Sequence, residues 1–272
     1  MSRINKIAEQ AALANRKLLI PYLVAGDPNL ETTSTLMHKL VGQGADIIEL
    51  GIPFSDPSSD GPIIQRGVER ALAKGTTVKQ VLGLVAEFRK TDTDTGIVLM
   101  GYLNPIEIMG YKAFAEAASA AGVDGVLTVD LPPMEADELN AMMRAVKVDT
   151  IFLVAPTTRE ERVASIIEHC SGYLYYVSLK GVTGAALTDF GSVTANINKL
   201  RERTQLPIVI GFGIKDAQSA AAMGKLADGV IIGSALVEKI ALLADQVEHE
   251  SALLSDTIRV ISEAREALDK LV

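Results

Sequence analysis

Two carboxylates in the stretch IELGIPFSDPSSDGP, residues 48–62, are the side chains of this sequence with the clearest potential for proton chemistry. Glu49 interrupts an apolar run that otherwise predicts a buried strand, and Asp60 follows in a polar loop. A carboxyl group in apolar surroundings has a raised pKa, so Glu49 could donate or accept a proton near neutral pH. The nearest basic residues in the sequence are Lys39 and Arg66, which argues against a salt-bridged core glutamate.

Asp60 has two interpretations that the residues themselves leave open. It precedes Gly61, and Asp-Gly is ordinary turn chemistry, so a structural role fits as well as a chemical one. Asp56, which precedes Pro57, is more typical of a turn residue.

An anion site is predicted by two glycine-rich segments, IGFGIKD at 210–216 and IIGSALVEKI at 231–240. The second runs directly into a predicted helix whose first turn begins near Gly233 and Ser234. Exposed backbone N–H groups, the helix dipole and a hydroxyl together bind anions. Glycines also form tight turns at many strand ends, but this pair is typical of the phosphate site after strands seven and eight of an α/β barrel. No arginine or lysine is an obvious ligand, and the amides and the dipole can balance the charge.

The elements that must position these groups are short β-branched runs that alternate with helical patterns, such as 106–121, 158–170 and 215–225. Eight alternations in one chain predict a parallel sheet closed into a (β/α)8 TIM barrel. No linker rich in Ser, Gly or Pro divides the chain, so we expect a single domain over residues 1–272, with additional N-terminal and C-terminal helices at 3–14 and 249–271. The runs begin at Leu18, Asp46, Ile97, Gly125, Thr150, Tyr173, Pro207 and Gly229.

The spacing of the runs predicts long loops after strands two and six. In α/β barrels the βα loops build the active site at the C-terminal face, and long ones are commonly lids. The first begins just after Glu49 and contains Asp60, and the second is SLKGVTGAALTDFGS at 178–192, whose glycines and small side chains suit a moving segment.

Composition excludes several other classes of function. The chain has 272 residues, 48% of them hydrophobic, and a formal net charge of −8 without a basic tract, so we expect no nucleic-acid partner. We expect neither a signal peptide nor a membrane span, because the chain has no apolar run of suitable length. The single cysteine, Cys170, excludes an internal disulfide and fits the cytoplasm. With three separated histidines, we also expect no metal site.

Several motifs, in order along nearly the whole chain, resemble the tryptophan synthase α-subunit family. They are the pattern ELG-x-P-F-S-D-P-x-x-D-G from Glu49, GYLNP at 101–105, DLPP at 130–133, GVTGA at 181–185 and GFGI at 211–214. The resemblance implies a lyase of L-tryptophan biosynthesis that cleaves indole-3-glycerol phosphate into indole and glyceraldehyde 3-phosphate by a retro-aldol step. It also implies an α2β2 complex with a β subunit, which carries pyridoxal phosphate, while this chain has no cofactor of its own.

Carried over by position, the resemblance assigns Glu49 as the proton shuttle and Asp60 as the acceptor of the indole N–H. Tyr175 would line the site and orient Glu49 or a substrate hydroxyl, and Thr183 would dock against Asp60 when the second loop closes. The implied indole pocket comprises Tyr22, Met100, Leu127, Leu153 and Ile232. The implied phosphate-binding positions are Gly184, Gly211, Phe212, Gly213, Gly233 and Ser234. The implied β-subunit interface includes Pro53, Asp56, Pro57, Ser58, Asn104, Pro105 and Pro132.

This sequence departs from the family's usual pattern in both long loops. Ser58 and Ser59 replace a large apolar residue followed by Ala or Gly, which concerns coupling to the β subunit more than the chemistry. Many members carry Arg where this chain has Leu179, followed by Lys180, so the resting contacts of the second loop are expected to differ.

Two rival functions are considered. A Schiff-base aldolase would use Lys180 as its nucleophile, but strand parity places Lys180 on the face opposite to Tyr175. A non-catalytic phosphate-binding subunit that only activates a partner would need neither carboxylate. Borohydride trapping and an assay for indole release distinguish these rivals.

Overall fold

The computed structural model of the protein describes residues 2–177, 190–211, 213–245 and 250–271. Within them, eight parallel strands pair in chain order, and the last pairs with the first, so the sheet is a closed barrel. This confirms the predicted TIM barrel. The strands are β1 Leu18–Val24, β2 Ile47–Gly51, β3 Gly96–Gly101, β4 Gly125–Thr128, β5 Asp149–Val154, β6 Leu174–Val177, β7 Ile208–Gly211 and β8 Gly229–Ile232.

Helices surround the barrel and add to both ends of the described chain. In order they are α1 Arg3–Leu13, α2 Leu30–Gly42, α3 Pro62–Ala73, α4 Val78–Phe88, α5 Leu103–Met109, α6 Tyr111–Ala121, α7 Asp137–Ala145, α8 Glu160–His169, α9 Phe190–Arg201, α10 Ala217–Gly224, α11 Ser234–Asp245 and α12 Glu250–Asp269. The additional terminal helices are therefore confirmed as α1 and α12. Ile4 of α1 is fully buried in the barrel-interior cluster, and α12 packs mainly against α10 and α11.

Successive residues of each strand alternate between two buried layers, as the side-chain period of two requires. Ile47 and Val98 belong to the cluster inside the barrel, whereas Ile48 and Leu99 belong to the cluster between the strands and the helices. The backbone of Glu49 is in register with Tyr22 on one side and with Val98 on the other. Glu49 therefore occupies an interior position of the barrel wall.

Two sequence predictions about helices are corrected. The helical pattern at 106–121 is two helices, because Gly110 adopts a φ of +86° between α5 and α6. The extra length after β2 is mostly a second helix rather than a lid, since both α3 and α4 separate β2 from β3. The loop that directly follows β2 is the segment 52–61 before Pro62.

The Asp60 loop is anchored where α3 begins. Gly61 is the N-cap residue of α3, and Pro62 occupies its first turn, where a missing N–H costs nothing. The side-chain amide of Gln65 donates to the carbonyl oxygen of Asp60 at 2.8 Å. This arrangement holds the backbone of Asp60 at the N-terminal end of a helix. No helix in the described ranges is long and apolar enough to cross a membrane.

Candidate active site

Glu49 is completely buried, and its carboxyl group forms part of the wall of the cavity described below. The hydroxyl of Tyr173 donates a hydrogen bond of 2.5 Å to Oε1, whereas Oε2 has no hydrogen-bond partner among the described residues. Burial raises the pKa of Glu49 to about 7, although the Tyr173 hydrogen bond acts in the opposite direction. At neutral pH this carboxyl group is therefore present in both protonation states.

The tyrosine that contacts Glu49 differs from the one that the sequence suggested. Tyr173 and Tyr175 both belong to the interior cluster, but the hydrogen bond to Glu49 comes from Tyr173. Tyr175 lines the cavity instead, and an added Cβ at Gly211 would lie 2.1 Å from its hydroxyl oxygen. Tyr173 has the same strand parity as Tyr175, which is the signal that could have identified it.

Asp60 is partly buried at the cavity, and Tyr102 forms a hydrogen bond to its carboxylate. The Tyr102 hydroxyl donates to Oδ2 of Asp60 at 3.0 Å and accepts the Ser59 N–H at 2.9 Å. Burial raises the pKa of Asp60, partly offset by the Tyr102 hydrogen bond. Burial and the neighbouring Asp60 charge raise the pKa of Tyr102 to about 12, so the phenol remains a donor at neutral pH. Sequence analysis missed Tyr102, although it is the tyrosine of the GYLNP motif.

A cavity of about 650 Å³ joins the two carboxylates at the C-terminal ends of the strands. Its volume suits a small organic ligand. Of the residues predicted from the sequence, those that line it are Tyr22, Glu49, Asp60, Met100, Tyr175, Gly213, Gly233 and Ser234.

Three residues assigned to the indole pocket are not among the residues that line the cavity. Ile232 belongs to the cluster between strands and helices, and its neighbour Ile231 lines the cavity, because adjacent strand residues face opposite sides. Leu127 is fully buried in the interior cluster, and Leu153 packs against that cluster, but neither is among the cavity-lining residues. The apolar wall therefore includes Ile231 in place of Ile232.

The predicted phosphate end of the cavity is formed by the loops after β7 and β8. Gly213 adopts a φ of +74°, a conformation that favours glycine. The carbonyl oxygen of Gly233 accepts from the N–H groups of Leu236 and Val237, so α11 begins at the cavity wall. The first amides of a helix have no intrahelical acceptor, and with the helix dipole they favour an anion.

Some predicted site residues lie outside the described residues. They are Thr183, Gly184 and Phe212, together with Leu179 and Lys180 of the second loop. Among the residues that the structure does describe, no group of three or more His, Cys, Asp or Glu side chains is arranged to hold a metal ion.

Comparisons with known proteins agree on one family. The family model described as tryptophan synthase alpha chain matches residues 8–266. The tryptophan synthase alpha chain of Marinobacter nauticus is 55% identical over 271 residues, which cover 100% of this chain and 99% of that one. The tryptophan synthase alpha chain of Thioalkalivibrio sulfidiphilus is 52% identical over 269 residues, which cover 99% of this chain and 100% of that one. This chain belongs to the tryptophan synthase alpha chain family.

Solved structures of tryptophan synthase alpha chains have the same fold. The alpha subunit from Legionella pneumophila is 44% identical and superimposes with a TM-score of 0.89, covering 99% of both chains. A chain of the aminoacrylate-bound tryptophan synthase from M. tuberculosis is 32% identical, with a TM-score of 0.86, covering 98% of this chain and all of that one. The family cleaves indole-3-glycerol phosphate to indole and glyceraldehyde 3-phosphate in tryptophan biosynthesis. It uses no cofactor in this subunit and forms a complex with a β subunit that carries pyridoxal phosphate.

The residues that the tryptophan synthase resemblance assigns to the β-subunit interface follow β2, β3 and β4, with Asn104 and Pro105 in the first turn of α5. Asp56, Ser58 and Asn104 are exposed. Pro57, Pro105 and Pro132 are partly exposed, whereas Pro53 is buried in this chain. Pro53 therefore supports the loop rather than offering surface in the isolated subunit.

Proposed function

We propose that Glu49 and Asp60 carry out the cleavage of indole-3-glycerol phosphate in this protein, with Glu49 as the proton shuttle. The observation that supports this most is the position of Glu49 on the cavity wall, fully buried, with a pKa of about 7. A group that must both give and take a proton works best when its pKa is near the working pH.

Glu49 begins the reaction protonated. It donates its proton to C3 of the indole ring, which makes the ring a positive indoleninium. The bond between C3 and the glycerol C3′ carbon then breaks, and its electrons return to the ring. The Glu49 carboxylate takes the proton from the C3′ hydroxyl, which becomes the aldehyde of glyceraldehyde 3-phosphate. The enzyme ends protonated, as it began.

Asp60 stabilises the positive charge that this step creates. Its carboxylate accepts a hydrogen bond from the indole N–H, where the charge develops after protonation at C3. An anion held in place before the reaction lowers the barrier without reorganisation. The hydrogen bond from Tyr102 supports this role, because it directs the Asp60 carboxylate toward the cavity.

The remaining cavity residues bind the two ends of the substrate. Tyr22, Met100, Tyr175 and Ile231 offer mostly apolar area for the indole ring. The amides near Gly213, Gly233 and Ser234 bind the phosphate, as the start of α11 at the cavity wall supports. Gly184 and Phe212, which lie outside the described ranges, are proposed to complete the phosphate site together with Gly211, and Thr183, also outside those ranges, is proposed to contact Asp60 on closure. Gly211 itself is described and adjoins Tyr175.

The chain is proposed to act as one domain within an α2β2 heterotetramer in the cytoplasm. The exposed positions Asp56, Ser58 and Asn104 are proposed to contact the β subunit, together with the partly exposed Pro57, Pro105 and Pro132. The buried free thiol of Cys170 is compatible with a reducing compartment.

The experiment is to supply indole-3-glycerol phosphate to the purified chain, with and without β subunit, and to measure indole release. Wild type should release indole, and Glu49→Gln should not. A Schiff-base mechanism through Lys180 is the alternative, and it predicts covalent trapping by borohydride in the presence of substrate. Indole release that survives Glu49→Gln, or substrate-dependent trapping at Lys180, contradicts the proposal.

A further inference from the structure

The described residues that line the cavity include a single basic side chain, Lys215. Four acidic residues line the same cavity. They are Glu49, Asp60, Asp216 and Glu238. Because the chain as a whole also carries a formal net charge of −8, a dianionic substrate approaching this cavity meets a predominantly negative surface.

We propose that Lys215 is a substrate-binding residue that attracts and holds the phosphate group of the substrate. The inference rests on the proposed function for the identity of the substrate. Lys215 lies two residues after Gly213, in the loop that joins β7 to α10, at the phosphate end of the cavity. Lys215 belongs to the GFGIKD segment of the sequence, but only the fold shows that it lies on the cavity wall.

The backbone around Lys215 is fixed by the N-terminal capping of α10. The N–H of Lys215 donates to Oγ of Ser219 at 3.0 Å, and the N–H of Asp216 donates to the same oxygen at 3.1 Å. Ser219 in turn donates its own N–H to the Asp216 carboxylate at 2.8 Å. This capping box holds the Cα of Lys215 beside Gly213, so that only the flexible side chain must be ordered by the ligand.

The carboxylate of Asp216, next to Lys215, already accepts hydrogen bonds from the N–H and the hydroxyl of Ser219. Hydrogen bonds from Ser219 are the main cause of the lowered pKa of Asp216, and the Lys215 charge contributes only in a minor way. No ion pair between Lys215 and a carboxylate is found within the described residues, whereas Lys239 and Arg259 both pair with Asp256. The ammonium group therefore remains available to a phosphate.

A cation at this position has an effect that backbone amides lack. Amides and a helix dipole act within hydrogen-bond distance, but a full charge also acts on a phosphate that is still approaching. Lys215 should therefore lower KM more than it changes kcat, because it binds the ground state and the transition state alike. Its contribution should decrease as ionic strength rises.

The test compares Lys215→Gln, Lys215→Glu and Lys215→Arg with Lys225→Gln. Lys225 is exposed at the other end of α10, so Lys225→Gln makes the same change in net charge away from the cavity. Indole release is measured against indole-3-glycerol phosphate at low and high salt. We expect Lys215→Gln to raise KM about tenfold at low salt, which corresponds to ~1.4 kcal/mol, with kcat within about twofold of wild type. Lys215→Glu should raise KM further, and Lys215→Arg should remain near wild type.

A second measurement separates this inference from the proposed function. Binding of glycerol 3-phosphate and of free indole is measured for each variant, which requires no catalysis. Lys215→Gln should weaken only the phosphate ligand. If wild type releases no indole, the proposed reaction fails, and the two binding measurements still test Lys215. Equal affinities of Lys215→Gln and Lys225→Gln for glycerol 3-phosphate, or an equal loss for both ligands, would overturn the role of Lys215.

Discussion

Tyr173 donates its hydroxyl to Oε1 of Glu49 at 2.5 Å, while Oε2 of the same carboxyl group has no protein partner in the described part of the chain. One oxygen is therefore positioned by the barrel, and the hydrogen-bonding capacity of the other is not used by the described residues. A buried carboxylate with one hydrogen bond and no counter-ion is costly, and protonation removes that cost. This pair explains both how Glu49 is oriented and why its pKa is about 7.

Glu49→Gln should reduce cleavage by at least ~10²-fold, because the substitution keeps the shape of the side chain and removes its transferable proton. In wild type, kcat/KM should decrease as pH rises through about 7, since the protonated form of Glu49 begins the reaction. The measurement is a pH profile of indole release. A profile that instead rises through that pH would mean that Glu49 acts first as a base.

The same substitution should change the pH dependence of stability. Because the pKa of Glu49 is raised in the folded state, from 4.5 to about 7, its contribution is fully favourable below about pH 4.5 and is lost as pH rises through 7. At 1.36 kcal/mol for each pH unit between the two values, the loss is ~3 kcal/mol. Glu49→Gln has no such loss, so relative to wild type it should gain stability from pH 5 to pH 8. Urea unfolding at both pH values checks this, and a constant difference contradicts it.

Asp60→Asn should lower kcat by ~10²–10³, because a preorganised charge is removed from the position where positive charge develops. Tyr102→Phe is the companion variant, since it removes the hydrogen bond to Asp60 and leaves the carboxylate in place. It should cost about tenfold, because a hydrogen bond to a charged group contributes ~1.5–3 kcal/mol and solvent can replace part of it. The measurement is the steady-state kcat and KM of indole release for both variants. If Asp60→Asn changes only KM, Asp60 is a binding or turn residue.

Gly51→Ala should distort the apolar end of the cavity. An added Cβ would lie 2.3 Å from the hydroxyl oxygen of Tyr22 and 2.8 Å from its Cζ, so the ring must move. Overpacking of this kind costs ~1–3 kcal/mol. The matched control is Gly83→Ala in α4, where an added Cβ meets nothing within 4 Å and a helix gains up to ~1 kcal/mol.

The readouts for Gly51→Ala are thermal stability and affinity for indole. Both should fall for Gly51→Ala, and neither should fall for Gly83→Ala. Tyr22→Phe in the Gly51→Ala background should restore only part of the loss, because Cζ remains too close. Unchanged indole affinity in Gly51→Ala would indicate that Tyr22 can move without affecting the site.

The barrel was predictable because strand and helix periods are local properties, and the position of Glu49 followed from the same alternation. That alternation also shows where the prediction was wrong: Ile232 faces the helices, and Ile231 faces the cavity. The choice between Tyr173 and Tyr175 depended on how far a side chain reaches across the barrel, which no local pattern encodes. Likewise, the sequence pattern places Lys215 at the start of a predicted helix over 215–225, and only the packing of the loops after β7 and β8 brings it to the cavity.

The last prediction concerns the proposed β-subunit contact at Ser58. Ser58 is exposed in the loop after β2, and its N–H donates to the carbonyl oxygen of Asp56 at 2.8 Å, so a new side chain there leaves the turn intact. If Ser58 faces the β subunit, Ser58→Leu adds apolar area to the interface. The gain is up to ~2 kcal/mol for a fully buried side chain, or up to about thirtyfold tighter association. Because Asp60 follows closely, β-dependent activation of cleavage should rise as well.

Thr93→Leu provides the control for Ser58→Leu, because Thr93 is exposed in the loop before β3, at the opposite end of the barrel. It adds an exposed apolar side chain of the same size without changing the proposed interface. Wild type and both variants are titrated with β subunit, and complex formation and indole release are followed together. Tighter association of Ser58→Leu alone supports the contact. If both variants bind the β subunit as wild type does, Ser58 lies outside the interface. If no form binds the β subunit, the heterotetramer proposal is wrong, and the measured indole release alone decides whether the chain catalyses the lyase reaction.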